Sequence, residues 1–153
     1  MAVLPSWNAG AVRATILNFV TAVTREGGKD FVPPAERIAV FDNDGTLWCE
    51  QPLQAQVFFL IDRVKQLAVQ NPAVKDRQPF KALLEQDLVT LHGLGKQGIL
   101  ELFFSTHAGM SVEAFEEIAA AWLASARHPK FGRLFPQLAY APQTELLAFL
   151  REN

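Results

Sequence analysis

The chain has 153 residues, half of them hydrophobic, with 14 basic and 16 acidic side chains and a formal net charge of -2, long enough to bury one core of ordinary size without disulfides or metal staples. The charges are scattered and form no basic block, which excludes the electrostatic footprint of a nucleic-acid binder or of a protein held to an anionic membrane. Its single cysteine, Cys49, excludes an intrachain disulfide and a cysteine-built zinc site within this chain.

The N-terminal stretch to Ala14 has no basic segment followed by a sustained apolar run, and no later window approaches the ~18 uninterrupted apolar residues of a membrane span. The expected compartment is the cytoplasm and the expected partner a small soluble molecule. Val12, Ile16, Phe19, Val20 and Val23 fall at helical spacing, with Asn8 placed to cap and Gly27-Gly28 to stop, so a first helix is predicted over residues 9–25. Residues 37–42, Arg-Ile-Ala-Val-Phe-Asp, differ: a short apolar run of strand formers that follows Pro33-Pro34 and ends abruptly in Asp-Asn-Asp-Gly. A buried strand is predicted there, delivering its last residue to a turn.

Helical spacing returns with Val57, Leu60, Ile61, Val64 and Leu67, a helix that Asn71-Pro72 must end because proline cannot donate and restricts the residue before it. Phe80, Leu83, Leu84, Asp87, Leu88 and Leu91 predict the next, with Pro79 in its first turn and Gly93 as its stop. A shorter helix is expected over 97–106. Ser111 is suited to cap a longer one, with Phe115, Ile118, Ala119, Trp122 and Leu123 as its buried face. Arg127-His128-Pro129 breaks it and opens a loop, and a last helix covers 143–151. This pattern predicts about six helices and one strand. A lone buried strand leaves its backbone groups unpaired and needs neighbours in a sheet.

Asp42 and Asp44 stand two residues apart at the end of that strand, followed by Gly45, Thr46 and Leu47. A carboxylate beyond the end of a strand can attack phosphorus in line, and a second one nearby can protonate the leaving group and then activate water. Two carboxylates with a loop carbonyl also suit octahedral magnesium. The bland alternative is a polar turn with a capping aspartate, which leaves the paired acids unexplained.

The run Ile-Ala-Val-Phe-Asp-Asn-Asp-Gly-Thr-Leu-Trp over 38–48 resembles the first motif of the haloacid dehalogenase-like superfamily, four hydrophobic residues followed by Asp-x-Asp-Gly-Thr-Leu. The resemblance implies an α/β fold: a Rossmann-like core with an α-helical cap inserted after the first strand, as in the phosphoserine phosphatase-like branch. On that reading residues 1–50 open the core, 51–128 form the helical cap, and 129–153 return to the core. The resemblance further implies a magnesium-dependent phosphomonoester hydrolase working through an aspartyl phosphate, with Asp42 as nucleophile, Asp44 as acid and base, and both as Mg2+ ligands. Thr46, Glu50 and Arg127 are expected to contact the substrate, a small phosphorylated metabolite.

Three further motifs complete such a site: a serine or threonine at a strand end, a lysine, and a closing acid. No aspartate follows Asp87, so the site is not completed within this sequence. The expectation is an N-terminal fragment, mostly helical, inactive alone and either joined by a missing C-terminal core segment or self-associating. The alternative is a non-catalytic helical binding module that retains the motif.

Overall fold

The computed structural model describes residues 3–153. Its helices are α1 (Ala11–Thr24), α2 (Ala55–Gln70), α3 (Phe80–Leu84), α4 (Leu88–His107), α5 (Val112–Ser125) and α6 (Ala141–Glu152), with single 3-10 turns at Pro34–Glu36, Pro72–Asp76 and Phe135–Leu138. The chain divides into two compact units. One runs from the described N-terminal residues to Glu50 and takes up Leu138–Asn153; the other comprises Gln51–Gln137.

The second unit is built on α2. The spacing of Leu60, Val64 and Ala68 places one buried stripe along the helix, and the amide of Asn71 closes its last turn on the carbonyl of Leu67 before Pro72 removes the next donor. Leu60 and Val64 pack with Val74, Phe80, Leu83 and Leu102 into the main core, flanked by the half-buried Ile61, Leu67, Leu84 and Leu91. Phe80 and Val64 are fully buried.

Sequence and structure part company between α3 and α4. In place of one helix through Asp87 and Leu91, α3 stops at Leu84, and Gln86 takes a left-handed conformation at φ 58°. Asp87 then begins a new helix by accepting from the Thr90 amide at 3.0 Å. Asp87 thus sits outside the helix, satisfying one of the donors every helix start leaves open. Gly93, expected as a stop, lies inside α4, and the break falls two residues later at Gly95, whose φ of 57° kinks the helix. Ser111 does cap α5, accepting from Ala114 at 3.2 Å. The face expected to be buried is not: Ile118, Ala119, Trp122 and Leu123 are half-buried and Phe115 is exposed.

In the first unit, Gly10 rather than Asn8 is the residue before the first turn of α1, and no side chain caps it. The two ends of the unit are tied together by Ser6, whose amide and hydroxyl both donate to Glu145, and by the Trp7 indole N–H, which donates to the Pro142 carbonyl at 2.8 Å. Arg37 donates to the carbonyls of Val32 and Asn153.

The expected α/β core is not what the chain adopts. Residues 37–42 are extended but form no strand. The described residues contain no sheet, only isolated bridges joining Asp44 to Trp48, Trp48 to Ala139 and Arg127 to Leu134. β-branched residues favour an extended backbone, but a strand exists only through pairing with a second extended segment. Every other long apolar run here has helical spacing, so no such segment is on offer. Ile38 and Val40 consequently stand 84% and 88% exposed. Beside them Phe19, Val23, Ala39, Phe41, Leu147 and Leu150 line an open apolar groove of about 400 Å3.

Candidate functional site

The loop that follows the extended segment is ordered by its own backbone. The Asn43 carbonyl accepts from the amides of Thr46, Leu47 and Trp48, at 3.3, 2.8 and 3.4 Å, and the Gly45 amide donates to the Trp48 carbonyl at 2.9 Å. Gly45 has φ 74°, a left-handed conformation that costs a side-chain-bearing residue. A Cβ there would also lie 2.9 Å from the Glu50 carboxyl carbon. The backbone conformation requires glycine here, while the Glu50 carboxylate, the end of a flexible side chain, takes up the room against it. Two bonds hold the far side of the loop: the Cys49 amide donates to Leu138 at 3.3 Å, and the Tyr140 amide donates to Leu47 at 2.9 Å.

Asp42 is exposed and its Oδ1 accepts from the adjoining Asn43 amide at 2.9 Å. Asp44 is half-buried, and its Oδ1 accepts from the Trp48 indole N–H at 2.9 Å. One loop therefore holds two carboxylates in different settings, one open to an incoming molecule and one pinned by an indole. Thr46 and Glu50 lie in the same loop, both half-buried, with the Glu50 carboxylate folded against Gly45. Trp48 is the residue that spacing rules did not single out as functional. Its place next to the motif was visible, but a donor role depends on how the loop closes.

Arg127 belongs to the other unit. One of its guanidinium nitrogens donates to the Gly132 carbonyl at 2.8 Å. Its neighbour His128 is 1% exposed and packed among aromatic rings. His107 is also part of the helical packing: its Nδ1 lies 2.6 Å from the Thr106 hydroxyl and its ring packs on Phe59, Phe103 and Phe115. Burial, opposed by the Phe103 carbonyl and aided by Arg63, holds its pKa below the usual histidine value.

Magnesium would draw on Asp42 and Asp44. The ion demands a near-octahedral set of oxygen donors, whereas no three His, Cys, Asp or Glu side chains gather in a metal-holding arrangement among the described residues. The donor set of this loop does not by itself fit the ion, and no chemical step is routed through it. Among the described residues no helix is long and apolar enough to cross a membrane. Neither a scan against protein-family models nor a search among curated proteins gives a match.

Proposed function

We propose that the Asp42–Glu50 loop is the nucleophile-bearing part of a phosphomonoester hydrolase of the haloacid dehalogenase-like type, acting in the cytoplasm on a small phosphorylated metabolite. The observation that carries the reading is the difference between its two carboxylates: Asp42 exposed at the end of an extended segment, Asp44 fastened to the Trp48 indole two residues on. A nucleophile must reach the phosphorus, and an acid–base group must be held beside the oxygen it serves.

The steps follow from those positions. A carboxylate oxygen of Asp42 attacks phosphorus, and the ester P–O bond on the opposite side breaks. The departing alkoxide takes a proton from Asp44 and leaves as an alcohol. Water then attacks the aspartyl phosphate, giving its proton to Asp44. The bond from phosphorus to the Asp42 oxygen breaks, releasing inorganic phosphate and restoring the carboxylate. Magnesium, if recruited, would neutralise phosphate charge, with Asp42, Asp44 and a loop carbonyl as this loop's part of its shell. The expected affinity of the chain for magnesium is therefore millimolar or weaker by calorimetry.

The test uses labelled acetyl phosphate, a donor whose leaving group needs no acid, followed by rapid acid quench. Slow, near-stoichiometric labelling is expected. It should be discharged by hydroxylamine, abolished by Asp42→Asn and prolonged by Asp44→Asn, while turnover of an ordinary phosphomonoester stays at background. Label that persists in Asp42→Asn removes Asp42 as nucleophile. A second reading, a non-catalytic binding module that retains the motif, is favoured by the bare Ile38 and Val40 beside the apolar groove. Complete absence of label from the native chain would select it.

A further inference from the structure

The helical unit holds a second concavity that the phosphoryl-transfer reading does not use. Val57, Phe58 and Ile61 of α2, Leu83 of α3, Leu91 of α4 and Phe135 line a cavity of about 420 Å3, inside the ~300–1,000 Å3 range of small-molecule sites. Three charged residues reach it: Asp62, Lys65 and Arg127. Asp62 is already answered, by Lys65 at 3.0 Å on one oxygen and by the Trp122 indole N–H at 3.0 Å on the other. Arg127 has no ion-pair partner among the described residues, and the bond to Gly132 uses one of its five N–H donors. The lining therefore carries one uncompensated positive charge at the edge of an apolar hollow.

The wall of the cavity next to Arg127 is backed by a buried ring. His128 is 1% exposed, and its Nδ1 accepts from the Lys130 amide at 3.2 Å, so in the neutral ring the proton sits on Nε2. That atom is buried with no hydrogen-bond partner in the described structure. The ring packs against Phe58 and Phe135, at 5.3 and 5.4 Å between centroids, and both of those rings line the cavity. Behind this wall, next to Arg127 in the chain, is a donor without an acceptor. His128 is not itself among the residues that line the cavity, so the uncompensated polar group that a ligand meets there is Arg127.

We propose that this cavity binds a small amphipathic anion, its alkyl or aryl body against α2 and its single acidic head on Arg127. The proposal does not depend on the reading of Asp42 and Asp44, and its test involves neither residue. The probe is decanoate, kept below micelle-forming concentrations, with decanol as the uncharged molecule of the same chain. The whole protein is labelled with 5-fluorotryptophan, which gives one fluorine resonance for each of Trp7, Trp48 and Trp122. Trp122 stacks on Phe135 at 4.5 Å and donates to Asp62, so it reports on the cavity.

Decanoate should shift the Trp122 resonance saturably at one equivalent, leave Trp7 and Trp48 unmoved, and bind about tenfold tighter than decanol, the ~1.4 kcal/mol scale of one charge-assisted contact. Arg127→Leu should erase that tenfold difference while decanol binding persists. Arg127→Lys, which keeps a cation on the same loop, should retain most of the difference and so separates charge recognition from any disturbance of the loop. Val57→Phe, which fills the hollow, should weaken both probes. Equal binding of decanoate and decanol to the native protein, a response confined to Trp7 or Trp48, or no saturable response at all would each overturn the proposal.

Discussion

The stripe along α2 in one unit and residues 37–42 in the other handle apolar residues in opposite ways. In the helical unit, the stripe along α2 finds partners in α3, α4 and the turn at Pro72–Asp76, and Val64 and Phe80 are sealed from solvent. In the other unit, the most β-prone residues of the chain, Ile38 and Val40, remain bare. The difference lies in where each element gets its hydrogen bonds. A helix satisfies its backbone internally and needs only a surface for one stripe, whereas an extended segment needs another chain segment for its backbone as well as its side chains. The segment that leads into the candidate chemistry thus has no paired neighbour among the described residues, while the core around α2 is packed by residues of its own unit.

The sharpest way to break this comparison is to attack the helical core. Phe80→Ala should cost about 3–5 kcal/mol, as removal of a fully buried aromatic ring does, read as a lowered urea midpoint. A cost of less than about 1 kcal/mol would mean the core is not the self-sufficient element described here. Gly45→Ala should cost about 1–2 kcal/mol through the left-handed backbone, seen as faster hydrogen exchange of the Gly45 and Leu47 amides. Adding Glu50→Ala should recover only the steric part, because the φ of 74° strains any side-chain-bearing residue whatever the space.

A smaller effect is expected from pH. Burial lowers the His107 pKa in the folded chain, so the unfolded chain binds more protons below the unfolded value, ~6.5. This contribution to stability is complete above that value and is lost as pH falls from there toward the depressed folded pKa. Thermal melts should show the native protein losing more stability than His107→Asn between about pH 7.5 and 5, with equal losses counting against the assignment.

The smallest change in stability is expected at the bare segment. Ile38→Thr with Val40→Thr should alter it by no more than about 0.5 kcal/mol, as for other exposed positions. The same pair should reduce self-association, because exposed apolar surface with unpaired backbone invites it. Light scattering of the native chain as a clean monomer, unchanged by the substitutions, would show that the bare segment needs no cover.

Much of the helical unit was legible because its signals are local. The apolar spacing of α2, its end before Pro72 and the cap at Ser111 depend on residues within a turn or two of each other, and the structure has all three. The split between α3 and α4 was not. Asp87 reads equally well as a helical residue or as a cap, and only the turn at Gln86, set by how α3 packs, decides. At the candidate site, the motif marked Asp42, Asp44 and Gly45 as a group. That Glu50 lies against Gly45, and that the Trp48 indole donates to Asp44, emerged only when the loop closed on itself.

The sequence by itself determined where α1, α2, α5 and α6 form and which residues make the paired-carboxylate turn, because helix hydrogen bonds and tight turns are made between near neighbours in the chain. Tertiary structure alone decided three matters. It left residues 37–42 extended without making them a strand, since strand pairing must come from elsewhere. It left α5 half-covered where its pattern called for burial, since burial depends on what lies opposite. And it set Arg127 beside an apolar hollow with His128 buried next to it, since a helix break read from the sequence does not specify which of its residues turns inward.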